Sequence, residues 1–393
     1  MTTSSTPPSA SDQRPTVLFV ANTDWYLFNF RLNLLHAAHA AGWNVLLACP
    51  KRAYAKALEE EGFVTHHIPF DTIGFKPTQE LNAMRALRRL AHRVRPQVFH
   101  LFTLKCVLYG SLAAPRGEVQ TIGAVTGMGH LFTTRSWRTW LLKTPVLIAL
   151  RRAIKRSRTQ LVFQNDADRD EFVAYKIVDN EHTAVIRGSG VDCERFKPRP
   201  GRRSQSHVKL LFCGRLIAEK GIREYLAATA RLRKSGRTFE SQIAGAPYPG
   251  NPSSLSDAEV EKLQSEGSHI FLGQHEDMAA LFADSDIVVL PTYREGTPKA
   301  LLEAAASGCI IVTTDIPGCH GIADPGVNGH LVPPKKIAPI VVALAKILDA
   351  TPQERQRMGA ESRRIAVERF SDREVNAKTL TLYRQPAQTP PPS

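Results

Sequence analysis

The chain has 393 residues, 43% hydrophobic and 22% charged, a folded composition too long for one ordinary core, so two domains of roughly 150 to 200 residues are expected. Its six cysteines show neither CxxC pairs nor disulfide-style spacing, which argues against a disulfide scaffold and for a reduced, cytoplasmic compartment. The net charge of +14 asks for an anionic partner, and no run approaches the roughly 18 apolar residues of a membrane span.

Residues 1–14 are rich in Ser, Thr and Pro and lack an apolar core, which reads as a disordered arm and neither a signal peptide nor a span. Thr16 to Val20 reads as a first strand, Phe30 to Ala41 as a helix stopped by Gly42, and Asn44 to Ala48 as the next strand, a βαβ opening. Leu81 to Val94 is a basic amphipathic helix. Strands are expected at Val98–Phe102, Gln120–Val125, Gln160–Phe163 and Thr183–Ile186. Between Glu118 and Asp166 there is no acidic residue, while Arg135 to Arg158 carries eight cations interleaved with Trp137, Trp140, Leu141, Leu142 and Ile148. Such a segment suits an anionic bilayer surface. A core-packed helix with a solvated basic face is the plainer reading. Nucleic acid is disfavoured as a partner, because no zinc-finger, helix-turn-helix or RNP pattern accompanies the charge.

Lys197 to Ser206 is a Pro/Gly/basic linker, after which the alternation restarts. Strands are expected at Val208–Cys213, Phe239–Ala244, His269–Leu272, Ile287–Leu290 and Ile310–Val312, with helices at Ile222–Ser235, Met278–Ala283 and Pro298–Ser307. Two alternating units imply an α/β protein with two doubly wound domains facing a central cleft, at 15–196 and 207–370. Residues 371–393 are expected to form a helix crossing back to the first domain and then a Pro-rich tail. Ligands of such sheets lie beyond the carboxyl ends of strands.

Two loops occupy such places. In Arg294 to Glu303, Thr297 is positioned to cap a helix, Pro298 suits its first position and Gly308 its stop. Glu295 then precedes the helix, and Glu303 lies too far along it, about 12 Å for eight helical residues, to share a proton with Glu295. Two contacts along an elongated ligand fit that spacing, and Gly296 lets backbone amides approach it. Two solvated glutamates are the bland alternative. In Cys213 to Gly221, Gly214 ends a strand, Arg215 and Lys220 can converge on phosphate oxygens, and Gly221 permits a sharp helix entry. Here too, simple solvation of both cations is the alternative.

Gly214-Arg215-Leu216 with Lys220-Gly221, Glu295-Gly296-Thr297-Pro298 running to Glu303, and Asn328-Gly329-His330-Leu331-Val332 together resemble the retaining glycosyltransferases of family four, which have the GT-B fold. Asn29-Phe30-Arg31, Thr103-Leu104-Lys105, Thr126-Gly127-Met128-Gly129 and Phe163-Gln164-Asn165 resemble a narrower branch, bacterial enzymes that glycosylate undecaprenyl-diphosphate-linked sugars. The resemblance implies that Arg215 and Lys220 hold the donor diphosphate and stabilise the departing nucleotide. It implies that Glu303 accepts from ribose hydroxyls, that Glu295 with Gly296, Thr297 and Pro298 grips the transferred sugar, and that Gly214 admits the ligand to the backbone. Gln274 and His275 flank the base, expected to be uracil. The resemblance also implies that His130 faces the transferred sugar, a satisfied structural histidine being the alternative. It implies that Asn165 is a further substrate contact and that Lys105, with His100 and Arg31, binds an acceptor diphosphate, a surface lysine beside a strand being the plainer reading. Asn22-Thr23-Asp24-Trp25 departs from the Gly-Gly loop common in relatives.

The implied reaction is same-face transfer of a hexose or N-acetylhexosamine from a UDP-sugar to a polyprenyl-diphosphate-linked saccharide, without a protein nucleophile. No cofactor is implied, and metal is expected to be dispensable. The expected location is the cytoplasmic, inner face of the cell membrane, bound peripherally. Other acceptors, a sugar-nucleotide 2-epimerase of the same fold, and a non-catalytic binding protein are the alternatives.

Overall fold

Strand and helix alternate through both halves of the chain, and each half closes its own parallel sheet. A computed structural model describes residues 14–71, 77–115, 119–127, 137–199 and 207–383. Two units separate by internal packing: one runs to Ile186 and regains the chain from Asn376, and the other is Arg187–Val375.

The first unit holds strands β1 (Thr16–Val20), β2 (Asn44–Cys49), β3 (Val64–His67), β4 (Val98–Phe102), β5 (Gln120–Val125), β6 (Gln160–Phe163) and β7 (Thr183–Val185). Its order is β3-β2-β1-β4-β5-β6-β7, with every described pair parallel. The helices are α1 (Asp24–Ala40), α2 (Ala55–Glu60), α3 (Pro77–Val94), α4 (Leu104–Ala113), α5 (Trp137–Ser157) and α6 (Asp166–Ala174). Helices on both faces explain why β4 is buried at every position, with Phe99 and Leu101 in the core beside Leu18 and Val20.

Helix α1 begins six residues before the expected start. Thr23 caps it by accepting from Tyr26 N at 3.1 Å, a contact worth about 1 kcal/mol. Asp24, 2% exposed, then fixes the next loop by accepting from the backbone N of Arg52 at 2.8 Å and of Tyr54 at 3.0 Å. The segment that departs from the Gly-Gly loop is therefore a built helix start.

The second unit holds β8 (Lys209–Cys213), β9 (Glu240–Ala244), β10 (Ile270–Gly273), β11 (Ile287–Leu290), β12 (Ile310–Thr314) and β13 (Gly329–Val332), in the order β10-β9-β8-β11-β12-β13. Its helices are α7 (Ile222–Lys234), α8 (Asp257–Ser265), α9 (Met278–Ala283), α10 (Lys299–Ala306), α11 (Ile337–Asp349) and α12 (Pro352–Phe370). Helix α13 (Asp372–Leu382) starts in this unit and ends in the first.

The change of unit falls at Ile186–Arg187, ten residues before the expected domain end at 196. Val191 N donates to Phe370 O at 2.9 Å, and Val191 and Phe196 lie in the second unit's core. Within the first unit, Tyr383 is 5% exposed and its hydroxyl meets His100 Nδ1 at 2.6 Å.

Candidate functional site

In the second sheet the strand order turns around between β8 and β11, so the loops leaving those two strands diverge and open a crevice between them. The loop after β8 carries Gly214 to Lys220, and the loop after β11 carries Pro291 to Pro298. The two motifs singled out in the sequence thus flank one switch point.

Glycines make the floor. Gly214 N donates to Ala244 O at 2.9 Å and Gly245 N to Gly273 O at 2.7 Å, which extends the pairing of β8, β9 and β10 beyond the strands. A Cβ on Gly245 would sit 1.9 Å from Gly214 O. Gly221, at φ +78°, caps α7, and a Cβ there would sit 2.2 Å from Pro291 O. Only glycine lets the two loops come this close.

The loops are also joined by hydrogen bonds. Tyr293 N donates to Glu219 O at 2.8 Å, and the fully buried Thr292 hydroxyl lies 3.0 Å from the same oxygen and 3.3 Å from Glu295 Oε1. Lys220 Nζ pairs with Glu295 Oε1, both side chains being largely sequestered. Behind Glu295, Gly318 leaves room for the Glu295 carbonyl, which a Cβ would meet at 2.2 Å. The expected division between a phosphate-binding lysine and a sugar-binding glutamate is therefore, in this state, one ion pair. Arg215 is exposed, its guanidinium 4.9 Å above the ring of Tyr248.

The helix after β11 starts later than the sequence suggests. Pro298 is the N-cap and Lys299 the first helical residue. A Cβ on Gly188 would lie 3.0 Å from the Thr297 methyl, so Thr297 packs against that glycine. Glu303 is consequently one turn into α10, about 6 Å of rise from Lys299, and not two turns in. Its carboxylate lies 3.5 Å from Lys299 Nζ. Burial pushes the Glu303 carboxyl above the ordinary range, with Lys299 and Arg195 opposing. Gln274 and His275 are exposed just past β10, at the sheet edge.

The first-unit expectations fare differently. His130 lies outside the described residues. Asn165 is an N-cap: its Oδ1 accepts from Asp168 N at 2.8 Å and its Nδ2 donates to Asp168 Oδ2 at 3.1 Å. Lys105 donates to Asp71 O at 2.6 Å and pairs with Glu80, so its charge is already balanced. Arg31, 6% exposed, donates to Tyr26 Oη at 2.8 Å and stacks over Phe102 at 4.7 Å. His100 is core, and burial holds its ring well below the ordinary imidazole range.

Tyr248, Thr292 and Lys299 are neighbours of the site that the sequence reading passed over. Lys299 was within reach, as the i,i+4 partner of Glu303.

Two Rossmann-like sheets, one with a glycine-floored cationic crevice at its switch point, define a GT-B α/β protein. Residues 16–166 match the family model "Glycosyl transferase 4-like", and residues 207–350 match "Glycosyl transferases group 1". The chain belongs to the glycosyltransferases of family-four type. It is 29% identical over 254 residues to an MMP alpha-(1->4)-mannosyltransferase of Mycolicibacterium hassiacum, covering 64% of this chain and 60% of that relative's length. It is 23% identical over 313 residues to the N,N'-diacetylbacillosaminyl-diphospho-undecaprenol alpha-1,3-N-acetylgalactosaminyltransferase of Campylobacter jejuni, covering 77% of this chain and 81% of the relative. Anabaena HepE, solved in complex with UDP and glucose, superposes with a TM-score of 0.75 at 17% identity, over 94% of this chain and 99% of that one.

Proposed function

We propose that this protein is a retaining glycosyltransferase that moves a hexose or N-acetylhexosamine from a UDP-sugar to a polyprenyl-diphosphate-linked saccharide. The observation that carries the reading is the switch-point crevice of the second unit. Lys220, locked against Glu295, and Arg215, supported on Tyr248, stand where strand carboxyl ends present a ligand. UDP as the nucleotide is supported by the HepE complex, and the lipid-linked acceptor by the Campylobacter relative.

In the proposed reaction the bond between the sugar C1 and the β-phosphate oxygen breaks. The acceptor oxygen bonds to C1 on the same face, its proton passes to the departing phosphate, and UDP leaves. Negative charge grows on the diphosphate, and two cations fixed in advance stabilise that growth without reorganising. They supply charge compensation that would otherwise call for a metal. Glu303, buried on α10 beside Lys299, accepts from ribose hydroxyls, and Glu295 with the Gly296–Pro298 backbone holds the transferred sugar. Gln274 and His275 flank the uracil.

Peripheral binding to an anionic membrane surface completes the proposal. Helix α5 buries Leu150, Ala153 and Ile154 and exposes Arg151, Arg152 and Lys155, so it is core-packed and presents a basic outer face. No helix among the described residues is long and apolar enough to cross a membrane. The test is to incubate purified protein with a panel of UDP-sugars and short polyprenyl-diphosphate saccharides, following product mass and anomeric configuration. Absence of measurable UDP affinity would sink the reading, and transfer to a soluble acceptor alone would reject the lipid-linked one.

A further inference from the structure

The first unit carries a second concave site, at the opposite end of its sheet from the strand carboxyl ends. A cleft of about 1040 Å³ opens where β4 and β5 begin, beside Gln97 and Val119. Arg85, Arg88 and His92 of α3, Arg95 just beyond it, and Arg156 of α5 line it, and among the described residues no carboxylate does. The four arginines make no ion pair among the described residues. Arg156 is anchored by donating from Nη1 to Leu112 O at 2.7 Å. Arg95 holds the left-handed conformation, at φ 48°, where glycine is easier. The remaining wall is apolar, with Leu81, Met84, Leu112 and Val119.

Guanidinium groups gathered without a counter-ion repel one another, and an anion that enters among them relieves that repulsion. Guanidinium is also the side chain best matched to phosphate oxygens, which it can bind through two parallel hydrogen bonds. The apolar wall adds a surface for hydrocarbon. Exposed Arg151, Arg152 and Lys155 continue the positive surface along α5 from Arg156, and Ile148 on the same helix is 46% exposed.

We infer that this cleft is a headgroup site for an anionic phospholipid, with the phosphate on the guanidinium groups and the first carbons of the lipid along the apolar wall. The inference rests on the membrane part of the reading above and is independent of the donor contacts proposed in the other unit. It makes attachment to the bilayer a seated contact with a headgroup, beyond the diffuse attraction of a basic face.

The test compares two double variants of α3 with equal loss of charge. R85Q/R88Q empties the cleft, whereas R89Q/R93Q removes exposed cations of the same helix that do not line it. Far-UV circular dichroism and urea midpoints establish that both fold. Co-sedimentation is measured with phosphatidylglycerol/phosphatidylcholine vesicles and with phosphatidylcholine vesicles alone. The cleft variant is expected to lose about thirtyfold in partition to the anionic vesicles, and the control to stay within about threefold of the unaltered protein. Equal losses in the two variants overturn the cleft and leave a diffuse basic surface. If the unaltered protein fails to bind anionic vesicles, the membrane reading falls with it. A third arm titrates inorganic pyrophosphate: loss of its binding in R85Q/R88Q with vesicle binding intact overturns the lipid assignment in favour of a soluble phosphate.

Discussion

At the scale of single residues, the unliganded site is a set of commitments that a donor must exchange. Lys220 is held by Glu295, so a diphosphate arriving at Lys220 competes with a carboxylate. Lys220→Ala is expected to weaken UDP itself by roughly 10- to 100-fold, since charge-assisted contacts to phosphate are lost. Glu295→Gln should leave UDP affinity within about threefold and lower turnover with the UDP-sugar, measured by calorimetry and initial rates. Equal loss of UDP affinity in both variants would show that Glu295 acts through Lys220 alone. Two histidines set an acid limit of a different kind. Burial lowers His269 to about 4, and it holds His100 well below the ordinary imidazole value. The unfolded chain then binds more protons than the folded one below the ordinary imidazole pKa of about 6.5, so stability is full above that value and falls with pH. The loss contributed by His269 reaches on the order of 3 kcal/mol by pH 4. Urea midpoints between pH 7.5 and 4 should show this loss, reduced in His269→Asn. The loop motifs were legible in the sequence because their residue types and order are distinctive. The partners of Asn165, Lys105 and Arg31, namely Asp168, Glu80 and Tyr26, were not legible, because they are chosen by tertiary packing, which spacing alone does not disclose.

At the scale of elements, close backbone approach decides where the chain tolerates change. Gly221 combines a left-handed φ of +78° with the Pro291 carbonyl 2.2 Å from its missing Cβ. Gly221→Ala is expected to cost about 2 to 4 kcal/mol, from strain plus overpacking, and to weaken UDP by parting the two switch-point loops. Thermal unfolding with and without UDP would measure both effects. Thr103 is the reverse case. It enters α4 at φ 73° and ψ 149°, a region otherwise nearly reserved for glycine, at the carboxyl end of β4 beside the first sheet's own switch point between β1 and β4. Thr103→Gly should therefore raise the urea midpoint, by up to about 1 kcal/mol, although glycine usually destabilises. A fall instead would mean that the threonine side chain contributes more than its backbone costs. Eleven strands were readable as apolar runs to within two residues at their ends, whereas β3 (Val-Thr-His-His) and β13 (Gly-His-Leu-Val) were not expected, since neither is a continuous apolar run. Helix starts were less so: α1 rests on the Thr23 cap and α10 on Pro298, and neither choice follows from periodicity.

At the scale of the whole molecule, two alternating halves announced two parallel sheets, and internal packing divides the units at Ile186–Arg187, ahead of the Pro-rich stretch at 197–206. That stretch is conspicuous in composition, but Val191 and Phe196 are already packed in the second core. The return of the chain at Asn376 has measurable weight. Tyr383 packs edge-on to Trp43 at 5.5 Å and satisfies His100 at 2.6 Å. Tyr383→Phe should destabilise the first unit by about 1 to 2 kcal/mol, because a buried imidazole nitrogen loses its partner. Differential unfolding of the two units, followed by hydrogen exchange on β1 and β4, would localise the loss. The same return sets an order of events on the ribosome, where domains generally fold as units as they emerge. The second unit is one uninterrupted segment and can consolidate as soon as it has been made. The first unit, though translated earlier, waits for Tyr383 before His100 has its partner, so the sheet that is written first is the one that is finished last.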